Sequence, residues 1–285
     1  MKLFVMLLTC LAAARAETHV LVVAGLGGER EYEQRFSTWA GELGKLSGAQ
    51  VLAGAAASRD GIRSALAQIA KSVTPQDDFV LVLIGHGTFD GVEYRFALPG
   101  PDITAIELAD WLNRIPAGRQ VVVNATSASG ACMDVWRAPN RVVVTATKSG
   151  NERNATVFAR YWVEALRDPA ADTDKNETVT VLEAFHYAAE KTKKFYESQK
   201  RLATEHPQIS DAGGIAGRIY LARFGATEKA RTDPAKRALL ARREQLEQEI
   251  DKLKHEKAAM PLPEYKKRLE ALLIELAKTQ AEIDR

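Results

Sequence analysis

Five short apolar runs punctuate the first half of the chain, at residues 18–24, 50–53, 79–84, 120–124 and 141–145. Most are rich in valine and continuously apolar, not alternating, as strands buried on both faces should be. Helical spacing lies between them: Ile62, Leu66 and Ile69 follow Ser58, and Ile106, Leu108, Trp111 and Leu112 follow Thr104. Glu107, three residues past Thr104, has the place of a capping-box partner. Alternation of this kind predicts an α/β, three-layer fold in which a mostly parallel sheet is covered by helices. Helical patterns continue at 155–166 and 181–202, then a polar, glycine-bearing stretch at 206–218 leads to an apolar segment at 219–224.

Beyond residue 235 the pattern changes in kind. Leu239, Leu246, Ile250, Leu253 and Met260 keep a heptad rhythm, with Arg243 and Lys257 at the two seam positions that are not apolar. After Pro261 and Pro263 the rhythm resumes at Tyr265, Leu269, Leu272, Leu276 and Ile283. This predicts a C-terminal helical hairpin over 235–285, coiled-coil-like and broken at the prolines. Such a hairpin is a packing or interaction module, suited to a second copy of the chain or to another protein. The domains expected are therefore an α/β body over 17–225 and the hairpin over 235–285.

Chemistry-bearing residues fall at the carboxyl ends of the predicted strands, where open parallel sheets build their sites. His86 stands between Gly85 and Gly87 directly after the third run. The fourth run ends in Asn124, Ala125, Thr126, Ser127, Ala128, Ser129 and Gly130. A histidine and a group of hydroxyls at neighbouring strand ends is the arrangement a nucleophile and its base need. The bland alternative is a strand-to-helix turn whose hydroxyls cap the helix.

These motifs resemble the caspase-like cysteine peptidases of the legumain and gingipain type. Members of that family place a His-Gly at one strand end, and an Asp/Glu-Ala-Cys-x-Ser-Gly turn at the next about forty residues on. A strand ending in Thr-Ala-Thr or Thr-Ala-Ser often follows, and Val143-Val144-Thr145-Ala146-Thr147 is similar to it. The resemblance spans residues 17–165 and implies the caspase-like version of the three-layer fold, with peptide or protein substrates or partners. The family's cysteine is missing. Aligned on Ser129-Gly130 its position holds Ser127, aligned on Asn124-Ala125 it holds Thr126, and Cys132 lies two residues past Gly130. A hydroxyl needs an adjacent base where a thiol is already partly ionised. Three readings stay open: a non-catalytic pseudopeptidase, a hydrolase pairing Ser127 (or Thr126) with His86, and chemistry through Cys132. A scaffold that binds partners through the hairpin is the alternative from a different class. Asp90 and Asp102 are read as turn formers more readily than as a pocket for basic side chains.

Residues 172–183 match the twelve-residue calcium loop of an EF-hand. Asp172, Asp174, Asn176, Thr180 and Glu183 supply side-chain oxygens at positions one, three, five, nine and twelve, and Thr178 offers its carbonyl at seven. The departure is Glu177 at position six, where glycine normally makes the turn, so Glu177 is expected at a positive φ. Ca²⁺ held here would be structural, because a lone loop lacks the paired partner through which sensors open. The plainer reading is a polar turn in which Thr180 caps the following helix.

Composition narrows the setting without naming an activity. The 285 residues are 46% hydrophobic and 27% charged, an ordinary globular balance. Lys2, the apolar run at 3–13 and the small residues Ala14 and Ala16 read as a secretory signal cleaved before Glu17. This predicts a periplasmic or secreted protein. Leu8-Thr9-Cys10 loosely resembles a lipobox, but threonine beside the cysteine fits it poorly. Cleavage removes two of the 39 basic residues, leaving them level with the 37 acidic ones. A net charge near zero argues against nucleic-acid binding. Cys132 alone remains, so no internal disulfide can form. No stretch after residue 16 approaches the length of a membrane helix.

Overall fold

A computed structural model describes residues 17–45 and 48–285. The expected signal segment and the Cys10 lipobox lie outside the described residues. In chain order the first elements are β1 (Thr18–Ala24), α1 (Arg30–Leu43), β2 (Ala49–Leu52), α2 (Arg59–Ser72) and β3 (Asp78–Ile84). There follow β4 (Gly87–Phe89), β5 (Tyr94–Phe96), β6 (Ile103–Thr104), α3 (Ala105–Leu112) and β7 (Arg119–Asn124). Then come α4 (Met133–Trp136), β8 (Arg141–Thr145), α5 (Phe158–Ala165), β9 (Thr178–Thr180) and α6 (Val181–Ser198). The chain ends with β10 (Gln208–Ser210), β11 (Tyr220–Arg223), α7 (Gly225–Thr232), α8 (Arg237–Glu256) and α9 (Leu262–Asp284).

Two compact units divide these elements. The first comprises residues 17–159 and Thr204–Gly213, and the second Arg160–Ala203 and Gly214–Arg285. The division falls within α5, so the acidic loop and α6 share a unit with the hairpin. That differs from the sequence expectation of a single α/β body over 17–225. The reason is that β9 pairs with β11, forty residues away in sequence, a contact no local pattern announces.

The first unit is a mixed α/β fold of three layers around a six-stranded sheet of order β10-β8-β7-β3-β1-β2. Five strands run parallel, and only β10 pairs antiparallel, along β8. Val20 to Val23, Val80 to Leu83, Val121 to Val123 and Val142 to Val144 are buried on both faces, which is why their runs are continuously apolar. One face carries α2, α3 and α4: Ile62, Leu66, Leu108, Leu112 and Trp136 share a core with Leu21, Val23, Leu81, Val122 and Val143. Helix α1 lies against β1, β2 and β3 and buries Phe36, Ala40 and Leu43. Ser58 and Thr104 cap α2 and α3, accepting from the amides of Gly61 and Glu107. The carboxylate of Glu107 pairs with Arg59, so the reciprocal half of the expected capping box is not made. A small antiparallel sheet, β4-β5-β6, follows His86, unannounced by any long apolar run.

In the second unit α8 and α9 pack side by side. The α8 seam buries Leu240, Arg243, Leu246, Ile250 and Leu253, entering one residue later than Leu239. The break between the helices is made by a 3₁₀ turn at Lys257–Ala259, and Pro263 sits inside the first turn of α9, where its missing N–H costs nothing. Among the described residues no helix is long and apolar enough to cross a membrane.

Candidate functional site

Four strand ends converge at the carboxyl edge of the sheet, and glycines let them come close. A Cβ on Gly87 would stand 2.4 Å from the Ser127 carbonyl oxygen and 2.5 Å from the Tyr94 ring; on Gly130 it would stand 2.2 Å from the Ser149 amide nitrogen. His86 is half-buried just past β3. Its Nε2 lies 3.2 Å from the Gly27 carbonyl, beyond the end of β1. A carbonyl can only accept, so Nε2 is the donor in this contact and Nδ1 is the ring nitrogen left over for other partners. Tyr32 and Phe36 of α1 meet the imidazole edge-on, with ring centroids 4.8 and 5.2 Å away. The Gly27 amide is itself held by Glu33 at 2.8 Å. Gly27, Tyr32 and Phe36 carry no signal in the sequence, because a backbone carbonyl and two helix aromatics leave no chemical motif.

The hydroxyls past β7 are spent on structure. Ser127, 3% exposed, accepts from the Gly87 amide at 3.2 Å and donates to the Gly87 carbonyl at 3.0 Å. Thr126 is fully buried and bonds the Tyr94 hydroxyl at 2.7 Å and Asn124 Oδ1 at 2.8 Å. Ser129 and Thr147 join the turn to the end of β8, with the Thr147 amide donating to Ser129 Oγ at 3.1 Å and the Gly130 amide to Thr147 Oγ1 at 2.8 Å. The 3₁₀ turn Ser129–Cys132 begins at Ala128, which has φ +56° and offers no side-chain cap, so these hydroxyls stitch strand ends together and do not cap a helix. Cys132 is buried, 3.4 Å from Asn124 Nδ2, and burial pushes its thiol well above the ordinary range. Among the described residues no hydrogen bond joins His86 to Ser127, Thr126 or Cys132.

Asp90 and Asp102 are turn formers. The Glu93 amide, then Arg95 and the Val92 amide, bond the Asp90 carboxylate and hold it well below the usual carboxylate range. Asp102 accepts from the Leu98 amide.

The second candidate is the acidic loop. One carboxylate oxygen from each of Asp172, Asp174 and Glu183 lies within 4.8 Å of the others, a cluster that could hold a metal ion. Asp172 accepts from the Asn176 amide at 3.1 Å and the Glu177 amide at 2.9 Å, and Asn176 accepts from the Thr178 amide at 2.9 Å. Glu177 takes the expected positive φ, +62°. Positions seven to nine form β9, and Thr180 with Glu183 completes a full capping box on α6. Glu183 is fully subscribed: Oε1 accepts from the Thr173 amide and hydroxyl, Oε2 from those of Thr180. A cation here competes with those bonds. Ahead of the loop stands only the 3₁₀ turn Pro169–Ala171, since α5 has already ended. Loss of hydration, then the neighbouring Glu183 charge, pushes the Asp174 carboxyl up to about 6, although Asp174 keeps an exposed side.

No protein-family model matches the chain, and no curated protein matches it in sequence. Solved structures do. Protein GSU0716 from Geobacter sulfurreducens is similar with a TM-score of 0.50 at 11% identity, over 73% of this chain and 100% of that one. Raptor from Chaetomium thermophilum is matched with a TM-score of 0.38 at 10% identity, over 55% of this chain and 18% of Raptor. The first likeness is one of fold alone, and the second carries no argument.

Proposed function

We propose that this chain is an exported, non-catalytic relative of the caspase-like peptidases, its sheet unit a rigid platform for a peptide or protein partner. In the same reading the loop at 172–183 is a structural calcium site. The observation that carries the first half is the pair of hydrogen bonds between the Ser127 hydroxyl and the backbone of Gly87. A serine nucleophile must present its hydroxyl to a base, and this one has its proton on one carbonyl and a lone pair on one amide. Thr126 and Cys132 are buried in bonds of their own. The test is incubation of the full chain with fluorophosphonate and peptidyl acyloxymethyl ketone probes and a peptide-substrate panel. Silence from the wild type and His86→Ala alike is expected; labelling that His86→Ala abolishes would overturn the proposal.

A second reading, a hydrolase pairing His86 with Ser127, is favoured by the Nε2 contact with the Gly27 carbonyl, which fixes the imidazole beside the strand ends. With Nε2 donating to the Gly27 carbonyl, Nδ1 is the nitrogen that would have to serve as the general base. The same experiment separates the two.

The calcium half is supported by the oxygens of Asp172, Asp174, Asn176, Thr178, Thr180 and Glu183 standing at the spacing such a loop uses, and by the glycine-like backbone at Glu177. Because Glu183 must give up bonds, affinity is expected near the weak extracellular range of about 10⁻⁴ to 10⁻³ M. At tenfold excess over Kd, binding to the native state alone adds about 1.4 kcal/mol. Calorimetry and melts with calcium, magnesium and chelator check this. A response to calcium that Asp172→Ala removes is expected, and a wild type indifferent to calcium sinks it.

A further inference from the structure

Glu177 is an unusual choice for its place. Its backbone lies at φ +62°, where glycine is free of strain and a side chain is not. What the glutamate adds is found at the start of α7. Its Oε2 accepts from the Thr227 amide at 2.9 Å and the Thr227 hydroxyl at 3.2 Å, and its carbonyl accepts from the Phe224 amide at 2.8 Å. The residue before α7, Phe224, supplies no side-chain cap, so Glu177 serves in its stead. Gly225 makes room: a Cβ there would stand 2.5 Å from Glu177 Oε1.

The contact continues inward. Thr227 is fully buried, and its hydroxyl accepts from Arg243 Nη1 of α8 at 2.9 Å. Arg243, 2% exposed, also donates from Nη1 to Gln280 Oε1 of α9 at 3.1 Å. In the other direction, the Glu177 amide donates to Asp172 Oδ2, the first residue of the acidic loop. One residue thus holds the loop by its amide and the C-terminal helices by its carboxylate. Hydrogen bonds in series within a buried site strengthen one another.

We propose that Glu177 couples the acidic loop to the C-terminal helices, so that a cation in the loop stabilises α7, α8 and α9. The proposal rests on the calcium reading above. Coupling of this kind is reciprocal: whatever the cation does for the helices, the helices do for cation affinity. It also explains why the strained glutamate stands where the loop geometry asks for glycine.

The test is hydrogen-exchange mass spectrometry of the full chain in calcium chloride and in chelator, beside calorimetric titration with calcium. In the wild type, calcium is expected to slow exchange at least threefold across residues 225–284 as well as at 172–183. Glu177→Gly should bind calcium at least as tightly, since glycine adopts this φ freely. It should nonetheless exchange faster at 225–284 in chelator and show no calcium effect there. Glu177→Gln keeps the backbone cost with a neutral cap, and should fall between the two. Calcium bound with 225–284 unchanged in the wild type, or a change there that survives in Glu177→Gly, overturns the coupling and leaves the calcium reading standing. No heat and no protection at 172–183 overturns the calcium reading, and the linkage with it.

Discussion

Gly87 and Ser127, forty residues apart, are bound to each other twice: amide to hydroxyl at 3.2 Å and hydroxyl to carbonyl at 3.0 Å. The pair joins the start of β4 to the turn after β7, directly beside His86. It makes the Ser127 hydroxyl a clasp between two chain segments. Ser127→Ala should therefore act on stability and not on turnover. It leaves a buried amide unpaired, which costs about 1–3 kcal/mol. Urea or guanidinium unfolding measures the loss, and a variant as stable as the wild type would show that the clasp is inconsequential.

Cys132 should be inert while the protein is folded. It is buried, its thiol held protonated, and the thiolate is the reactive form. Iodoacetamide at pH 8 is expected to leave Cys132 unmodified for hours in buffer and to label it within minutes in guanidinium, as read by peptide mass. Rapid native labelling would reopen the reading of chemistry through this thiol.

Stability in chelator should fall as pH rises through about 6. The Asp174 carboxyl is raised to about 6 in the fold from an ordinary value near 3.8, so the folded state holds a proton that the unfolded state has released. Its contribution is present below about 4 and lost as pH rises through about 6. Calcium should reverse the loss at pH 7 and do little at pH 5, where the proton competes with it. Melting curves across this range with and without calcium test the sign. A chelated protein that grows more stable from pH 4 to 6.5 would contradict it, once other carboxylates are controlled by Asp174→Asn.

Arg243 lies 3.6 Å from Glu247 Oε1, and burial raises the Glu247 carboxyl in spite of the neighbouring cation and the Tyr220 hydroxyl. Among the described residues Arg243 Nε and Nη2 have no hydrogen-bond partner. Removing one member of such a pair strands the other, at about 3–5 kcal/mol, whereas neutralising both is close to harmless. Arg243→Met should therefore destabilise strongly, and adding Glu247→Gln should recover most of the loss. Chemical denaturation of both variants and the wild type checks it; additive losses would mean the two residues do not act together.

Much of this architecture is legible along the chain. The runs read at 79–84 and 120–124 begin one residue later than β3 and β7, because Asp78 and Arg119 start those strands with charged side chains that bond each other. Ser58, Thr104 and Thr180 each announce a helix that they cap. The loop's oxygens keep the spacing the sequence shows, and Glu177 has the backbone that spacing requires. These features depend on residues within about one turn or one pleat of each other, and local periodicity carries them.

Other features depend on separations no local pattern encodes. That Ser127 faces Gly87 and not the imidazole is decided across 40 residues, and that His86 bonds Gly27 across 59. That the loop belongs with the hairpin is decided by β9 meeting β11 and by Glu177 meeting Thr227, 50 residues on. Local periodicity carries the α/β class, the parallel strands of the central sheet, the helix caps and the residue types available for chemistry, but not the short strands β4 to β6. Which polar groups those residues satisfy is settled by packing, because a hydroxyl or carboxylate near many buried amides bonds to whichever lies within about 3 Å.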